Sequence, residues 1–479
     1  MDAQWIGNTV YFRSDRDGEF NVYAYDGASK KVRRLTSHTD FPVLGLATCH
    51  PERSEGSARC GSGGIIYEQS GYLHLLDPAT TGNGRKLTIG VAADLRETRP
   101  RYVKGDRYVR NVALSPTGVR AAFEYRGEII TVPVEKGDAR NLTNTLGANE
   151  RSPSWSPDGS QIAYVSDISG EYELKIAPQD GRGAVKTFKL MGHGFYQNLD
   201  WSPDGSHIAY VDNSMSTYVI DVKSGAAKLV GSNKVYGVAD GNMTHAWSPD
   251  SKWLAYTANI KSLVTALSVY NVADDKSSRV TDGLSEVSTP AFDRSGKYLY
   301  IFASTDAGPL QDWFSLATAD YRRTRSIYAI VLRNDIGNPV AKESDEEKVV
   351  ITRDSTRRDS TATDSSKGVR LTAPAPRGTG ATRIDLEGIE NRILALPIAA
   401  NDLTQLATGD AGQIYYLQRT NNQNALHHYD LAKRKDEVLV PVVNGYDISA
   451  DAKKLLYFAN DSSSPTPPPR PTSTASSSG

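Results

Sequence analysis

Short runs in which apolar and polar residues alternate recur along most of this chain, and a tight turn precedes many of them. Residues 161–165 (QIAYV) and 207–211 (HIAYV) show the pattern clearly. Period-two alternation is typical of a β-strand with one face in a core. A second turn leads to a third run, such as residues 173–176 (ELKI), and a short fourth run closes the unit, as in residues 141–143 (NLT). The pattern predicts units of four antiparallel strands and an all-β fold.

A turn motif begins these units and recurs at a regular spacing. Its copies are residues 113–118 (ALSPTG), 154–159 (SWSPDG), 200–205 (DWSPDG), 246–251 (AWSPDS) and a degenerate 291–296 (AFDRSG). The residues at the head of the copies are Leu114, Trp155, Trp201, Trp247 and Phe292, which are 41, 46, 46 and 45 residues apart. A step in the low-to-mid forties is that of one four-stranded blade of a β-propeller.

The residue types of the motif fit a tight turn followed by a strand. Proline fixes φ at the first turn position, aspartate accepts hydrogen bonds from the local backbone, and glycine adopts positive φ. The tryptophan at the head of a copy recurs from blade to blade. We therefore interpret it as a core anchor between adjacent blades, in preference to a site that stacks on a sugar or a base.

The same pattern extends in both directions along the chain. Residues 5–36 and 64–88 each contain the strands and turns of one more blade, residues 413–440 contain another, and residues 455–458 begin a further one. The total is about nine blades, whereas four to eight usually close one ring. We expect two propellers, one of them incomplete.

This count gives a domain prediction. Residues 1–88 are expected to be the last two blades of a truncated six-bladed propeller, with a loop insertion at 48–64. Residues 89–461 are expected to form most of a seven-bladed propeller, with a disordered insertion at 335–382 that is too rich in charge, serine and threonine to form a core. Residues 462–479, rich in proline, serine and threonine, are expected to be a disordered tail.

Composition excludes several partners. The chain has 55 basic and 56 acidic residues, a formal net charge of -1, which argues against a nucleic-acid or membrane partner. No run of about 20 apolar residues is present to span a bilayer, and the first residues do not read as a signal peptide. Cys49 and Cys60 are the two cysteines. They are either incidental thiols or a local bridge formed in an oxidising compartment.

A search for catalytic motifs assigns no catalytic, cofactor-binding or metal-binding residue. The sequence has no Gly-x-Ser-x-Gly elbow, P-loop, His-Glu-x-x-His or Cys-x-x-Cys. The histidines are interpreted as structural or solvent-facing. The aspartates that recur at one turn position are interpreted as turn caps in preference to a ring of cation ligands. Those three aspartates are Asp158, Asp204 and Asp250.

One group of residues is a candidate contact for a peptide. Asn149, Glu150 and Arg151 precede the first strand of a blade, where loops reach the mouth of the ring. Side chains there could touch a polypeptide that passes through the channel. Each of the three is equally well explained as a solvated loop residue.

Several stretches resemble a known family. The Trp-Ser-Pro-Asp-Gly repeats are similar to those of TolB and of tricorn-type serine peptidases. The non-repeat stretches resemble the tricorn-type propellers specifically, and the last of them is the most specific. They are residues 5–18 (WIGNTVYFRSDRDG), 112–118, 126–133, 136–143 and 384–397 (IDLEGIENRILALP).

The resemblance implies a function that this chain would share with other domains. Tricorn-type enzymes have two propellers, a PDZ-like module and catalytic domains. We expect the PDZ-like and catalytic parts to be absent from this chain. Whether the chain is itself an enzyme is therefore left open. The chain is then expected to gate peptides or unfolded polypeptide, guiding them to a proteolytic site in other domains. Its expected protein partner is another copy of itself or the missing catalytic part. The alternative is a stand-alone TolB-like scaffold that binds a protein partner. A cytoplasmic location is expected, with the periplasm as the alternative.

Overall fold

The computed structural model describes residues 3–49, 64–94, 96, 99, 105, 108–233, 243–261, 264–305, 324–342 and 381–459. The chain divides into two compact units, Met1–Tyr102 and Val103–Gly479. The secondary structure elements of the described residues are strands, together with a 3-10 turn at Ile389–Arg392. Among the described residues, no helix has the length and hydrophobicity of a membrane span. The prediction of an all-β propeller with four-stranded blades is confirmed.

The first unit contains two antiparallel sheets of four strands. Sheet 1 consists of β1 (Gln4–Ile6), β2 (Thr9–Ser14), β3 (Asn21–Asp26) and β4 (Val32–Arg34). Sheet 2 consists of β5 (Val43–Cys49), β6 (Gly64–Gln69), β7 (Tyr72–Leu76) and β8 (Arg85–Lys86). Their shared core includes Tyr11, Val22, Ile65 and Tyr67. The predicted insertion falls between β5 and β6, which pair at Cys49 and Gly64, and residues 50–63 lie outside the described residues.

The second unit contains six further four-stranded sheets. Sheet 3 consists of β9 (Val109–Leu114), β10 (Arg120–Tyr125), β11 (Glu128–Pro133) and β12 (Arg140–Asn141). Sheet 4 consists of β13 (Glu150–Trp155), β14 (Gln161–Ser166), β15 (Glu173–Pro178) and β16 (Lys186–Lys189). Sheet 5 consists of β17 (Tyr196–Trp201), β18 (His207–Asp212), β19 (Ser216–Asp221) and β20 (Ala227–Ser232).

The remaining sheets follow the same order. Sheet 6 consists of β21 (His245–Trp247), β22 (Trp253–Asn259), β23 (Thr265–Asn271) and β24 (Lys276–Arg279). Sheet 7 consists of β25 (Glu286–Phe292), β26 (Tyr298–Ser304), β27 (Ser326–Val331) and β28 (Ile393–Ala395). Sheet 8 consists of β29 (Asp402–Thr408), β30 (Gln413–Thr420), β31 (Gln423–Asp430) and β32 (Lys435–Val440). Sheet 9 has two strands among the described residues, β33 (Gly445–Ile448) and β34 (Leu455–Phe458).

Two predicted segments fall partly or wholly outside this description. Of the insertion predicted at 335–382, residues 343–380 lie outside the described residues, between β27 and β28 of sheet 7. The tail predicted at 462–479 lies outside them entirely. The assignment of the two units to a truncated and a near-complete propeller therefore stays a prediction.

The first strands of sheets 3 to 9 form a closed ring. β9 contacts β13, β13 contacts β17, β21 contacts β25, and β25 contacts β29. Hydrogen bonds join β21 to β17, from Trp247 to Asp200, and β33 to β29, from Tyr446 to Gln405. Sheet 9 closes the ring against sheet 3, since the Asp447 carboxylate accepts a hydrogen bond of 2.8 Å from the Leu114 backbone N–H. The Asp451 N–H also donates to the Pro116 carbonyl oxygen. The closure is therefore made by hydrogen bonds between the first and last sheets of the unit.

The three motif tryptophans join neighbouring sheets. Trp201 is 5 % exposed, and its indole N–H donates to the Ser154 carbonyl oxygen of the preceding first strand at 3.2 Å. Trp155 donates in the same way to Ala113 at 3.0 Å. Trp247 repeats the contact with the sheet before it, through the Asp200 carbonyl at 3.0 Å. The interpretation of these residues as anchors between blades is confirmed.

The motif aspartates cap their own turns. Asp204 accepts hydrogen bonds from the Ser202 hydroxyl at 2.6 Å and the Ser206 backbone N–H at 3.0 Å. Asp158 makes the same pair of contacts with Ser156 and Ser160. In these copies the aspartate thus holds the turn that connects the first strand of its sheet to the second, as the residue types predict.

One inner-strand histidine is held neutral by its surroundings. His245 begins β21, its buried Nδ1 has no hydrogen-bond partner, and burial lowers its pKa to about 4. A hydrogen bond with the Asn198 backbone opposes this shift only in part. The His245 imidazole is therefore neutral in the folded chain at neutral pH.

We expect Trp201→Phe to lower the free energy of unfolding of the second unit by about 2 kcal/mol, because it leaves the Ser154 carbonyl without its donor. Urea unfolding followed by circular dichroism measures the change. Trp5→Phe is the matched control, since Trp5 is 68 % exposed and its indole bonds to nearby Gly7. Equal effects of the two substitutions would contradict an anchoring role for the indole N–H.

We expect His245 to make the second unit sensitive to acid. In the unfolded chain histidine titrates near pH 6.5, so the stability of the neutral buried ring is fully present above that pH and is lost as pH falls towards 4. His245→Gln should remove an acid-dependent loss on the order of 2 kcal/mol. Unfolding free energies across this pH range measure it, with His193→Gln as control because His193 is exposed. Identical pH profiles for His245→Gln and the unchanged chain would contradict the assignment.

Candidate functional site

The first strands of sheets 3 to 9 enclose a channel. Two cavities of about 610 and 490 Å³ lie along it. They share several lining residues and so are parts of one passage. The shared residues are Asp200, Trp201, Gln405, Tyr446, Asp447, Ile448 and Ala450.

The two mouths of the channel differ. The first strands end in the motif turns at one mouth, which we call the turn mouth, and begin at the other, which we call the upstream mouth. The β14–β15 turn also lies at the upstream mouth, because Ser166 pairs with both Glu150 and Glu173. The β15–β16 turn lies at the turn mouth, since Pro178 pairs with Gln161 beside the motif turn.

Prolines are frequent in the channel wall. Each first strand lies at the edge of its sheet and faces the channel with one side unpaired. Proline has no N–H to donate to another strand. The prolines that line the two cavities are Pro116, Pro153, Pro157, Pro203, Pro249 and Pro290.

Irregular residues interrupt the same edges. Ser152, Asn198, Thr289 and Gln405 have φ values of 53, 57, 48 and 50°. The first three lie three residues before Trp155, Trp201 and Phe292, which head their motif copies, and Gln405 has the same place in sheet 8. At each of these positions the pairing between the first and second strands of the sheet shifts its register. Such bulges re-aim an edge strand and prevent regular pairing with another chain. These bulges could not be predicted from the sequence, because no glycine stands at their positions.

The charged groups of the channel are mostly engaged with the wall. Arg294 binds Asp410 and the Ala450 carbonyl oxygen, and Asp447 accepts from Leu114. Arg110, near the start of β9, is exposed and lines the larger cavity. An exposed cationic side chain therefore lies in the wall of the larger cavity.

The three predicted mouth residues lie at the upstream mouth, but their side chains have different environments. The Asn149 backbone N–H donates to Asp167 at 2.7 Å, and its Nδ2 donates to the Tyr172 hydroxyl at 2.7 Å. Glu150 is 1 % exposed. Arg151 is partly exposed, with its guanidinium 5.4 Å from the ring centre of Phe195. Peptide contact at these residues stays a prediction.

Glu150 has a structural task. Its Oε1 accepts hydrogen bonds from the Thr145 hydroxyl at 2.8 Å and the Ser166 hydroxyl at 3.0 Å, while Oε2 is buried with no partner. Burial raises the pKa of this carboxyl, against the hydrogen bonds that lower it. The side chain ties the loop before β13 to the end of β14.

The described residues contain no group of three or more His, Cys, Asp or Glu side chains suited to a metal ion. The recurring motif aspartates are occupied by their own turns. Two of the histidines, His38 and His74, are buried beside Tyr67 in the first unit. The remaining histidines of the sequence are His50, His193, His207, His245, His427 and His428, of which His50 lies outside the described residues.

One copy of the motif, which lines the channel, was not among those predicted from the sequence. Residues 448–452 (ISADA) begin the turn of sheet 9, where the Ser449 hydroxyl donates to Asp451 at 2.7 Å as in the other copies. Ile448 replaces the tryptophan and Ala450 the proline, so the motif is hidden in the sequence. The Ser-x-Asp pair was the signal that could have found it.

Comparison with known proteins gives the family. The family described as the tricorn protease second beta propeller domain matches residues 109–465. A tricorn protease homolog of Saccharolobus solfataricus is 24 % identical over 471 residues, which cover 95 % of this chain and 38 % of that protein. Tricorn protease homolog 1 of Streptomyces coelicolor is 25 % identical over 478 residues, 95 % of this chain and 41 % of that protein. The chain therefore spans about two fifths of the length of these relatives.

A solved structure supports the fold. The crystal structure of the tricorn protease superposes with a TM-score of 0.56 at 17 % identity, over 95 % of this chain and 41 % of that one. At this identity the likeness shows the propeller fold alone. The resemblance inferred from the repeats and from residues 384–397 is confirmed by the family match. Because that match covers well over half of the chain, the protein belongs to the family of the tricorn protease second beta propeller domain.

Proposed function

We propose that this chain is a non-catalytic propeller region of a tricorn-like serine peptidase, and that the channel of the second unit guides peptides to a proteolytic site outside these residues. The observation that carries the proposal is the continuous passage enclosed by sheets 3 to 9. Peptides or unfolded polypeptide are the proposed ligands, and the proteolytic part is the proposed partner.

The residues of the channel wall favour the passage of a peptide over its tight binding. An extended peptide binds most readily to a regular sheet edge, where it adds a strand through backbone hydrogen bonds. The edges in this channel carry prolines and bulges instead, as at Ser152–Pro153 and Thr289–Pro290. These features reduce strand addition. A peptide would therefore contact the wall weakly and continue along it.

The size of the passage supports the same proposal. Small-molecule sites are enclosed clefts of about 300–1,000 Å³ with a few convergent polar groups. The two cavities here have comparable volumes but adjoin along one open channel, and Arg294 and Asp447 are bound to its wall. A linear ligand that extends through both cavities fits this shape better than a compact one.

Site-specific photo-crosslinking tests the proposal. p-Benzoylphenylalanine in place of Arg110, which lines the channel, should capture a short labelled peptide on irradiation. The same replacement at Arg182, an exposed residue of the β15–β16 turn, is the matched control and should capture little. An excess of unlabelled peptide should reduce the capture at position 110.

Equal capture at the two positions, or none at position 110, would overturn the proposal. The second outcome would favour the stand-alone scaffold, because a scaffold needs a protein surface and not an open channel. Unfolding midpoints of both substituted proteins establish that they remain folded.

A further inference from the structure

Four exposed apolar side chains lie in the segments that border one part of the upstream mouth. Leu146 is 99 % exposed, Ile168 54 %, Met191 46 % and Phe195 52 %. They lie in the loop before β13, the β14–β15 turn and the loop before β17, and all three segments adjoin the start of the first strands of sheets 4 and 5. Exposed apolar side chains grouped in this way mark a surface that binds another molecule more often than chance.

Two arginines lie against aromatic rings at the same mouth. The Arg126 guanidinium carbon is 4.8 Å from the ring centre of Tyr108, and that of Arg151 is 5.4 Å from Phe195. Tyr172 packs against Phe195 with ring centres 5.5 Å apart. An arginine that stacks on a ring is pre-organised, and the N–H groups at its edge remain available for a planar anion.

Two carboxylates nearby accept hydrogen bonds from the loops. Glu124 is 7 % exposed and accepts hydrogen bonds from Asn111 at 2.7 Å and the Ser152 backbone N–H at 3.1 Å, with Arg151 at 3.7 Å from its other oxygen. Asp167 accepts from the Asn149 backbone N–H. These carboxylates stabilise the loops of the mouth.

Positive charge is therefore in excess on the surface of this mouth. Among the described residues that border it in sheets 3 to 5, the exposed ionised side chains are Arg110, Arg126, Lys189 and Glu171. Arg126 forms no ion pair with any of the described residues. A ligand for this surface must bring carboxylates to the arginines and apolar side chains to the exposed loops.

We propose that the upstream mouth captures acidic peptide segments in which a carboxylate neighbours a large apolar side chain. The carboxylates bind the stacked guanidinium groups of Arg126 and Arg151, and the apolar side chains cover Phe195 and Ile168. The inference rests on the proposed function, since it names the class of peptide that the channel receives first. Charge at a mouth also raises the rate at which oppositely charged peptides arrive.

Fluorescence anisotropy with two labelled peptides of equal length tests the inference. One peptide alternates Asp with Leu and Phe, and the other carries Asn in place of every Asp. The acidic peptide should bind about tenfold more tightly, equivalent to about 1.4 kcal/mol. The double variant Arg126→Gln/Arg151→Gln should lose that preference, and added salt should weaken the binding of the acidic peptide to the unchanged chain.

Two further variants make the result specific. Arg182→Gln removes an exposed arginine at the turn mouth and should leave the preference unchanged. Arg126→Lys/Arg151→Lys keeps the charge but loses the planar fork, so it should retain only part of the preference. Unfolding midpoints close to that of the unchanged chain establish that each variant is folded.

Equal binding of the two peptides, or a preference that survives the Gln double variant, would overturn the inference. The photo-crosslinking experiment at position 110 shows whether the proposed function fails together with the acidic preference. If the Asn peptide is still captured there, peptides enter the channel and only the acidic preference is wrong. If neither peptide is captured, the proposed function fails as well.

Discussion

The hydrogen bond from each motif tryptophan to the preceding first strand sets the arrangement of the second unit. Trp155, Trp201 and Trp247 each bring a large, nearly buried ring between two sheets and fix its orientation with one donor. A blade cannot bury both of its faces alone, so its stability depends on its neighbours. The indole contact therefore fixes the spacing of the first strands at the three boundaries from sheet 3 to sheet 6.

The same arrangement creates a problem that the channel wall solves. Placing the first strand of every sheet around a passage leaves a ring of edge strands with unpaired backbone groups, which would bind any extended chain. Pro153 and Pro290 remove donors from these edges, and the bulges at Ser152 and Thr289 break their regularity. The features that make the strands poor templates are those that a conduit for peptides requires.

The sequence predicted the repeat and the sheets, because these depend on residues close together in the chain. It predicted the role of the tryptophans because they recur at the same position of successive blades. It placed Asn149, Glu150 and Arg151 at a mouth but could not distinguish them, since the burial of Glu150 depends on Ser166 of another strand. The stacking of Arg151 on Phe195 joins two sheets and leaves no local pattern. The channel lining likewise combines residues from seven sheets and emerges only when the ring is closed.

Ring closure through Asp447 and Asp451 has a mechanical consequence. The polypeptide runs directly from each sheet to the next from sheet 3 to sheet 9. In the part of the chain that the structure describes, sheets 9 and 3 are joined by hydrogen bonds of Asp447 and Asp451 and by contacts between β33 and β9. Local opening of such contacts costs less than global unfolding. A boundary held in this way can open locally while the other boundaries stay joined by the chain, and such an opening widens the passage.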